Sequence, residues 1–391
     1  VSAEADRRRV VLGSADHPRY VVWELTLRCD LACRHCGSRA GRPRAEELSL
    51  EEARSLVDQL AELGTEAITF IGGEAYLHPD WLGVVQAASQ AGIRCTLTTG
   101  GRAFTRSMAR KAAAAGLAGV SVSIDGIGPT HDTLRAVSGS YDAALRALKA
   151  TRKAGMLTMA NTQFNRLNMG EIDQLADVFA AHGVEAWQVQ LTGPMGRAAE
   201  RPEWLLQPYD ILELIDRLAA AARRLKADRP DFVINAGNNL GYFGPPEEAI
   251  RVAPYPGCQA GVYLLGIESN GDIKGCPSLP SAPYVGGNVR ERPLRDIWNE
   301  AAELAFVRRR QGRDHLWGFC AGCYYADHCG GGCTWTAHTL LGRPGNMPYC
   351  YHRADQLRSE GRRERVELVE AAPGRPFDFG RFALVEEDWP A

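Results

Sequence analysis

The chain has 391 residues, 45% of them hydrophobic and 24% charged, with a formal net charge of −2 at pH 7. That length suits one large domain with a smaller companion, and the near-neutral charge gives no global field for nucleic acid or an anionic membrane. No stretch approaches the roughly 20 apolar residues of a membrane span, and the opening VSAEADRRRV lacks the apolar segment of a secretory signal. The expected compartment is therefore the cytoplasm. The basic runs Arg7-Arg8-Arg9 and Arg308-Arg309-Arg310 carry no interleaved aromatics and read as solvated faces.

From the N-terminus, short apolar runs alternate with helical patterns. Strands are expected at 21–27, 67–71, 95–99, 120–124, 158–163 and 187–191, with helices at 50–63, 81–91, 105–115, 141–154 and 170–182. Such alternation implies parallel βαβ units. Six units in about 175 residues fit a partial (β/α)6 TIM-like barrel better than a complete one, with a doubly wound sheet as the other α/β solution. Residues 201–228 read as a helix before the loop-rich NAGNNLGYFGPPEE, and the domain boundary falls in or near this segment. Beyond it Cys and Gly rise, strands shorten, and SNGDIKGC reads as a hairpin turning at Asn270-Gly271. The expected division is an N-terminal segment (1–19), the partial barrel (20–200), a helical linker (201–252), a cysteine-rich domain (253–365) and a tail (366–391). The tail is either a surface arm or a strap.

Eleven cysteines are many for a reducing compartment, where clustered thiols bind metal more often than they form disulfides. Cys95, alone in IRCTLT, reads as a small buried hydrophobe. The other ten form two sets. In CDLACRHC, Cys29, Cys33 and Cys36 can grip three irons of a cubane and leave the fourth open. Zinc would want a fourth ligand, and His35, wedged between Cys33 and Cys36, is cramped for that role. The loop follows a strand, at the end of the sheet where βα-loops build active sites.

This C-x3-C-x2-C loop resembles that of the radical S-adenosylmethionine (SAM) superfamily. The resemblance places His35 near the adenine and makes Gly72-Gly73-Glu74 the motif that binds the SAM amino group, although Ala75 stands where the family usually has Pro. A carboxylate pairs with an ammonium, and glycines permit close backbone approach. By the same resemblance Ser123, in SVSIDG, contacts the SAM carboxylate or ribose, Arg135 pairs with that carboxylate, and Gln163 reaches the ribose. The alternatives are satisfied polar strand ends for Ser123 and Gln163, and a surface ion pair for Arg135.

The second set is Cys258, Gly271-x4-Cys276, Cys320-x2-Cys323-x5-Cys329-x3-Cys333 and Cys350. It resembles the SPASM domain, a seven-cysteine extension that carries auxiliary iron–sulfur clusters. The resemblance assigns Cys320, Cys323, Cys329 and Cys350 to one [4Fe–4S] cluster. Cys258, Cys276 and Cys333 are left with three thiolates for another, which has an open iron, takes a non-cysteine ligand, or is degraded. A zinc ribbon would explain Cys320–Cys333 alone but leave three cysteines unemployed.

The implied chemistry is reductive cleavage of SAM at the open iron to a 5′-deoxyadenosyl radical that abstracts hydrogen from an unactivated C–H. One or two auxiliary clusters would then take up an electron, making the reaction oxidative. Substrate readings are a ribosomally made peptide, which WQVQLTGPMGRAAERPEW also resembles, or a small molecule for a dehydrogenase. A sulfatase-type protein maturase is disfavoured by Pro277, where such relatives carry Asp. A non-enzymatic electron-transfer module is the alternative of a different class. Expected partners are a reductant such as flavodoxin or ferredoxin and a separate leader-binding protein. No catalytic acid or base is singled out.

Overall fold

Val21, Trp23 and Leu25 alternate along the first strand, β1 (Tyr20–Thr26), and that alternation decides which face meets helices. They join one apolar core with Leu56, Val57 and Leu60 of the first helix, α1 (Leu50–Glu62). Ser49 and Glu52 start α1 with a reciprocal capping box, which satisfies donors the first turn leaves open. The computed structural model describes residues 17–251, 255–310 and 312–390, so the 1–16 segment with Arg7-Arg8-Arg9, and the 252/253 boundary, lie outside the described residues.

The same unit repeats along the chain: β2 (Ala67–Gly72), α2 (Trp81–Gln90), β3 (Arg94–Thr99), α3 (Arg106–Ala114) and β4 (Leu117–Ser123). Next come α4 (Pro129–Arg135), α5 (Ser140–Lys153), β5 (Leu157–Phe164), α6 (Ile172–Ala181) and β6 (Ala186–Leu191). All six expected strands and all five expected helices form, with ends shifted by one to three residues; the short α4 is additional. Cys95 is fully buried in the core, as expected of a small hydrophobe.

The strands pair in parallel in the order β1-β2-β3-β4-β5-β6, with no reversal. A doubly wound sheet would reverse direction at a switch point, so the order decides for the barrel-type sheet. The 201–252 segment is more than a helical linker. Its helix α7 (Asp210–Asp228) leads into β7 (Val233–Ala236), which pairs in parallel with β6 as a seventh βα unit.

At the other edge β8 (Leu264–Ile267), from the cysteine-rich region, pairs in parallel with β1. β8 and β9 (Asp272–Lys274) form the expected hairpin, with Gly271 at φ 89°, and β10 (Val285–Asn288) completes one ten-stranded sheet. The two regions thus share a continuous sheet. Arg308 and Arg310 are not merely solvated. The first donates to the Trp298 carbonyl at 2.6 Å, and the second reaches the Gly330 carbonyl and the Thr334 hydroxyl.

Away from the helices the strands present hydroxyls, then amides. Tyr20 Oη, Thr69 Oγ1 and Thr96 Oγ1 form a ladder at 2.8 and 2.7 Å across β1, β2 and β3. On β5 and β6, alternating with the core residues Ala160, Phe164, Trp187 and Val189, stand Asn161, Gln163, Gln188 and Gln190. Gln190 donates to Asn161 across the strand pair at 3.1 Å.

The tail is a strap. β11 (Arg362–Glu370), which runs through the expected 365/366 division, pairs antiparallel with β12 (Arg381–Asp388). The loop between them lies on the segment after Cys36. Phe377 packs with Leu27, Ala40 and Met195, Arg39 donates to Asp378 at 2.6 Å, and Phe379 bridges Met195.

Candidate functional site

Cys29, Cys33 and Cys36 lie on the loop after β1, closed by hydrogen bonds from Cys29 N–H to the Gly41 carbonyl and from Gly41 N–H to the Leu27 carbonyl. Short-range donors already point at sulfur: Leu31 N–H at 3.4 Å from Cys29 Sγ and the Arg135 guanidinium at 3.6 Å from Cys33 Sγ. Burial pushes the Cys33 thiol up to about 11, while Arg135 pulls it down. Burial also raises Cys29, and the charges of Glu74, Cys33 and Cys36 raise it further. Such a site favours neutralisation by a cation.

The next strand presses against this loop. Gly73 N–H donates to the Thr26 carbonyl and Glu74 N–H to the Arg28 carbonyl, both at 2.8 Å. A Cβ on Gly72 would stand 2.2 Å from the Thr26 carbonyl oxygen, and one on Gly73 would stand 2.2 Å from that of Arg28. The glycines are therefore required by backbone meeting backbone.

Glu74 is buried, accepting from the Thr99 hydroxyl and, at 2.6 Å, from Gly100 N–H. Burial pushes its carboxyl up to about 7, against those donors. Ligand atoms of Cys29, Asp30 and Glu74 lie within 4.8 Å of one another, which sets the carboxylate against the thiol loop.

Asp125, one residue past the Ser123–Ile124 strand end, is a third anchor. Its Oδ2 takes His35 Nε2 at 2.9 Å and pairs with Arg135, and its Oδ1 accepts from Gln163 N–H at 2.8 Å. Burial works against its charge, but Arg135 and His35 more than offset that and hold it well below the usual carboxylate range. The other ring nitrogen of His35 meets the Leu134 carbonyl at 3.2 Å, so His35 offers only a ring face to a ligand. Arg135 is a buried ion-pair partner, neither at the surface nor free. Ser123 is buried, and Gln163 is half-buried on the amide face.

The downstream cysteines divide in two. Cys320, Cys323, Cys329 and Cys350 line one small cavity with Tyr242, Phe243, Met347 and Arg353. Cys258 and Cys276 pack against a separate small apolar cluster. Burial raises Cys333 to about 12, and the charges of Cys258 and Cys276 raise it further. The thiols are held by loops and short helices, where few apolar side chains gather: Ala260, Leu279 and Tyr284 form the local core.

Residues 23–179 match the model of the radical SAM superfamily, and residues 258–324 match that of an iron–sulfur cluster-binding domain, SPASM. An AdoMet-dependent heme synthase of Methanosarcina barkeri is 30% identical over 352 residues, spanning 88% of this chain and 99% of that protein. The chain belongs to the radical SAM superfamily. Its cofactors are accordingly SAM and [4Fe–4S] clusters, including those of the SPASM domain. Mycofactocin maturase MftC of Mycobacterium tuberculosis is 27% identical, over 86% of this chain and 83% of MftC. In fold the enzyme is similar to Streptococcus suis SuiB bound to S-adenosylmethionine, with a TM-score of 0.68 at 19% identity, covering 88% of this chain and 78% of SuiB.

The residues present fit a bound SAM. Arg135 Nε and Asp30 Oδ1 are buried without a partner, and both residues stand at the thiol loop, so a donor and an acceptor are ready there. Asp125 lies in the same SVSIDG stretch as Ser123 but is not among the expected site residues. The signal was an acid directly after a strand end, at the mouth where βα-loops build sites. Thr99 and Gly100, the partners of Glu74, carried no signal outside the fold.

Proposed function

We propose that this radical SAM SPASM enzyme oxidatively modifies a ribosomally made peptide at an unactivated C–H. The observation that carries the peptide reading is the lining of the strand face away from the helices. Asn161, Gln163, Gln188 and Gln190 offer paired amide donors and acceptors, the groups that a peptide backbone matches. Thr96, Thr98, Ser121 and Ser123 continue this neutral surface. The similarity to MftC, named as a maturase, supports the same reading.

In this reading Cys29, Cys33 and Cys36 hold the SAM-binding cluster. Glu74 accepts the SAM ammonium, Arg135 offers its unpartnered Nε to the carboxylate, and Ser123 and Gln163 line the ribose side. Gly72 and Gly73 position Glu74, and the ring face of His35 borders the adenine. With its cofactors bound, the site supplies one-electron cleavage of the sulfonium and hydrogen-atom abstraction from substrate. Asp125 fixes Arg135 and His35, and the strap at Phe377 shields the thiol loop from water. Cys320, Cys323, Cys329 and Cys350 hold one auxiliary cluster, and Cys258, Cys276 and Cys333 hold the other. A flavodoxin or ferredoxin delivers the electron, and a separate protein presents the peptide leader.

The heme synthase similarity favours a second reading, a tetrapyrrole substrate. An anaerobic assay decides between them. Reconstituted enzyme, reductant and SAM are given either candidate precursor peptides encoded beside the gene or an iron porphyrin bearing propionates. The peptide reading expects 5′-deoxyadenosine with a matching mass change in a peptide. Porphyrin turnover without peptide modification would overturn it.

A further inference from the structure

Glu74 has a neighbour of the same charge. A carboxylate oxygen of Asp30 lies within 4.8 Å of one of Glu74 and of Cys29 Sγ. Asp30 directly follows Cys29, so the thiol loop itself brings this second acid to the end of β2. One segment, 99–103, grips both groups. The Thr99 hydroxyl and Gly100 N–H donate to Glu74, while the Arg102 guanidinium donates to the Asp30 carbonyl. Ala103 N–H donates to Tyr76 Oη at 3.2 Å, and that hydroxyl donates to Asp30 Oδ2 at 3.1 Å. A Cβ on Gly100 would stand 2.3 Å from Leu31 Cδ1 and 2.9 Å from Glu74 Oε1, so this segment packs directly on both.

Both oxygens of Glu74 accept a hydrogen bond, but only one of Asp30 does. Asp30 Oδ1 is buried and meets no partner, although Oδ2 is fixed by the buried Tyr76. The groups that donate to the two side chains are hydroxyls and a backbone N–H, so no cation among them offsets the paired charge. Carboxylates this close repel, and an unfilled buried acceptor adds to the cost. One cationic group with several N–H bonds, set between the two acids, relieves both. A primary amino group meets that need, because it has at least two N–H bonds, one for each acid.

We propose that Asp30 is a second acceptor for the SAM amino group, its Oδ1 taking one N–H while Glu74 takes another. This rests on the reading that Glu74 faces that group. CDLACRHC thereby supplies a recognition group as well as thiolates. Tyr76, two residues after Glu74, is a positioning residue that aims Asp30.

The test measures equilibrium binding to the reconstituted holoenzyme of SAM and of 5′-methylthioadenosine, which lacks the amino-acid end. Asp30→Asn should weaken SAM roughly tenfold, the scale of one charge-assisted hydrogen bond, and leave methylthioadenosine unchanged. Tyr76→Phe, which leaves the thiol loop intact, should weaken SAM with the same selectivity. Equal weakening of both ligands would overturn the proposal, because an acid with a merely structural role disturbs the whole site. Unchanged SAM affinity in either variant would overturn it as well, and Tyr76→Phe keeps that outcome open if Asp30→Asn does not assemble its cluster. An altered EPR spectrum of the reduced, SAM-free cluster in Asp30→Asn, with SAM affinity unchanged, would make Asp30 an iron ligand instead. Glu74→Gln separates the two readings. If it weakens SAM selectively and Asp30→Asn does not, this inference alone fails; if neither is selective, the assignment of Glu74 fails with it.

Discussion

His35 Nε2 lies 2.9 Å from Asp125 Oδ2, and the two side chains are 2% and 0% exposed. Because Arg135 shares that oxygen and also donates to Cys33, one carboxylate ties the thiol loop to the ends of β4 and α4. Asp125→Asn keeps the shape but leaves the Arg135 cation without its main partner. Breaking a buried pair in this way costs about 3 kcal/mol. The expected outcome is a lower melting temperature and a 5′-deoxyadenosine yield reduced at least roughly tenfold, a modest 1.4 kcal/mol effect on the barrier. An Asp125→Asn variant with unchanged stability and SAM cleavage would remove this anchor from the account.

Gly73→Ala places a methyl group 2.2 Å from the Arg28 carbonyl oxygen, too close for any relaxed contact. The loop carrying Cys29 must move, at a cost of about 1–3 kcal/mol typical of overpacking. Iron bound at the SAM site and 5′-deoxyadenosine formation should fall together, whereas Gly92→Ala, with nothing within 4 Å, should leave both unchanged apart from local strain.

The two cysteine sets predict separable phenotypes. Cys29→Ala, Cys33→Ala or Cys36→Ala should abolish SAM cleavage. Cys323→Ala or Cys329→Ala should spare some cleavage while stopping product turnover, with about four irons lost per chain. Iron analysis beside paired assays of 5′-deoxyadenosine and product checks this, and persistent cleavage by Cys36→Ala would contradict the central assignment.

Arg353 is fully buried and bonds Glu364 at 2.6 Å and Asn346 at 2.6 Å, while also lining the four-cysteine cavity. Glu364→Ala leaves that cation uncompensated beside a cluster site. A loss of about 3–5 kcal/mol is expected, measured as reduced resistance to denaturant, with the four-cysteine cluster lost before the SAM cluster.

Phe377 holds φ 57°, a left-handed conformation costing about 1–2 kcal/mol for an L residue. Its packing on Leu27, Ala40 and Met195, and the Lys274 ammonium 4.2 Å from its ring centroid, must more than compensate. Phe377→Ala should loosen the strap and speed bleaching of the SAM-site cluster in air, followed by its visible absorbance. Phe377→Tyr should stay close to the parent.

Much of this architecture was written locally. The period-2 burial of Val21, Trp23 and Leu25, and the helical stripe of Leu56, Val57 and Leu60, made the βα units readable, because each pattern repeats within a few residues. The cysteine spacings were equally legible, since a cubane draws its ligands from short loops. The joining of β8 to β1 was not, because Leu264 and Tyr20 pair across more than half the chain and no local pattern encodes a remote register. Asp125 was passed over for a related reason: its importance lies in receiving His35 and Arg135, residues of two other elements.

CDLACRHC and Gly72–Glu74 by themselves determined the class of chemistry, because thiolate spacing and a carboxylate beside glycines act over short range. Only the tertiary structure decided why those glycines are required, what holds Arg135, and that the tail covers the thiol loop. Each of these depends on groups far apart in sequence meeting in a low-dielectric interior, where an unpaired polar atom is costly and so reveals its intended partner.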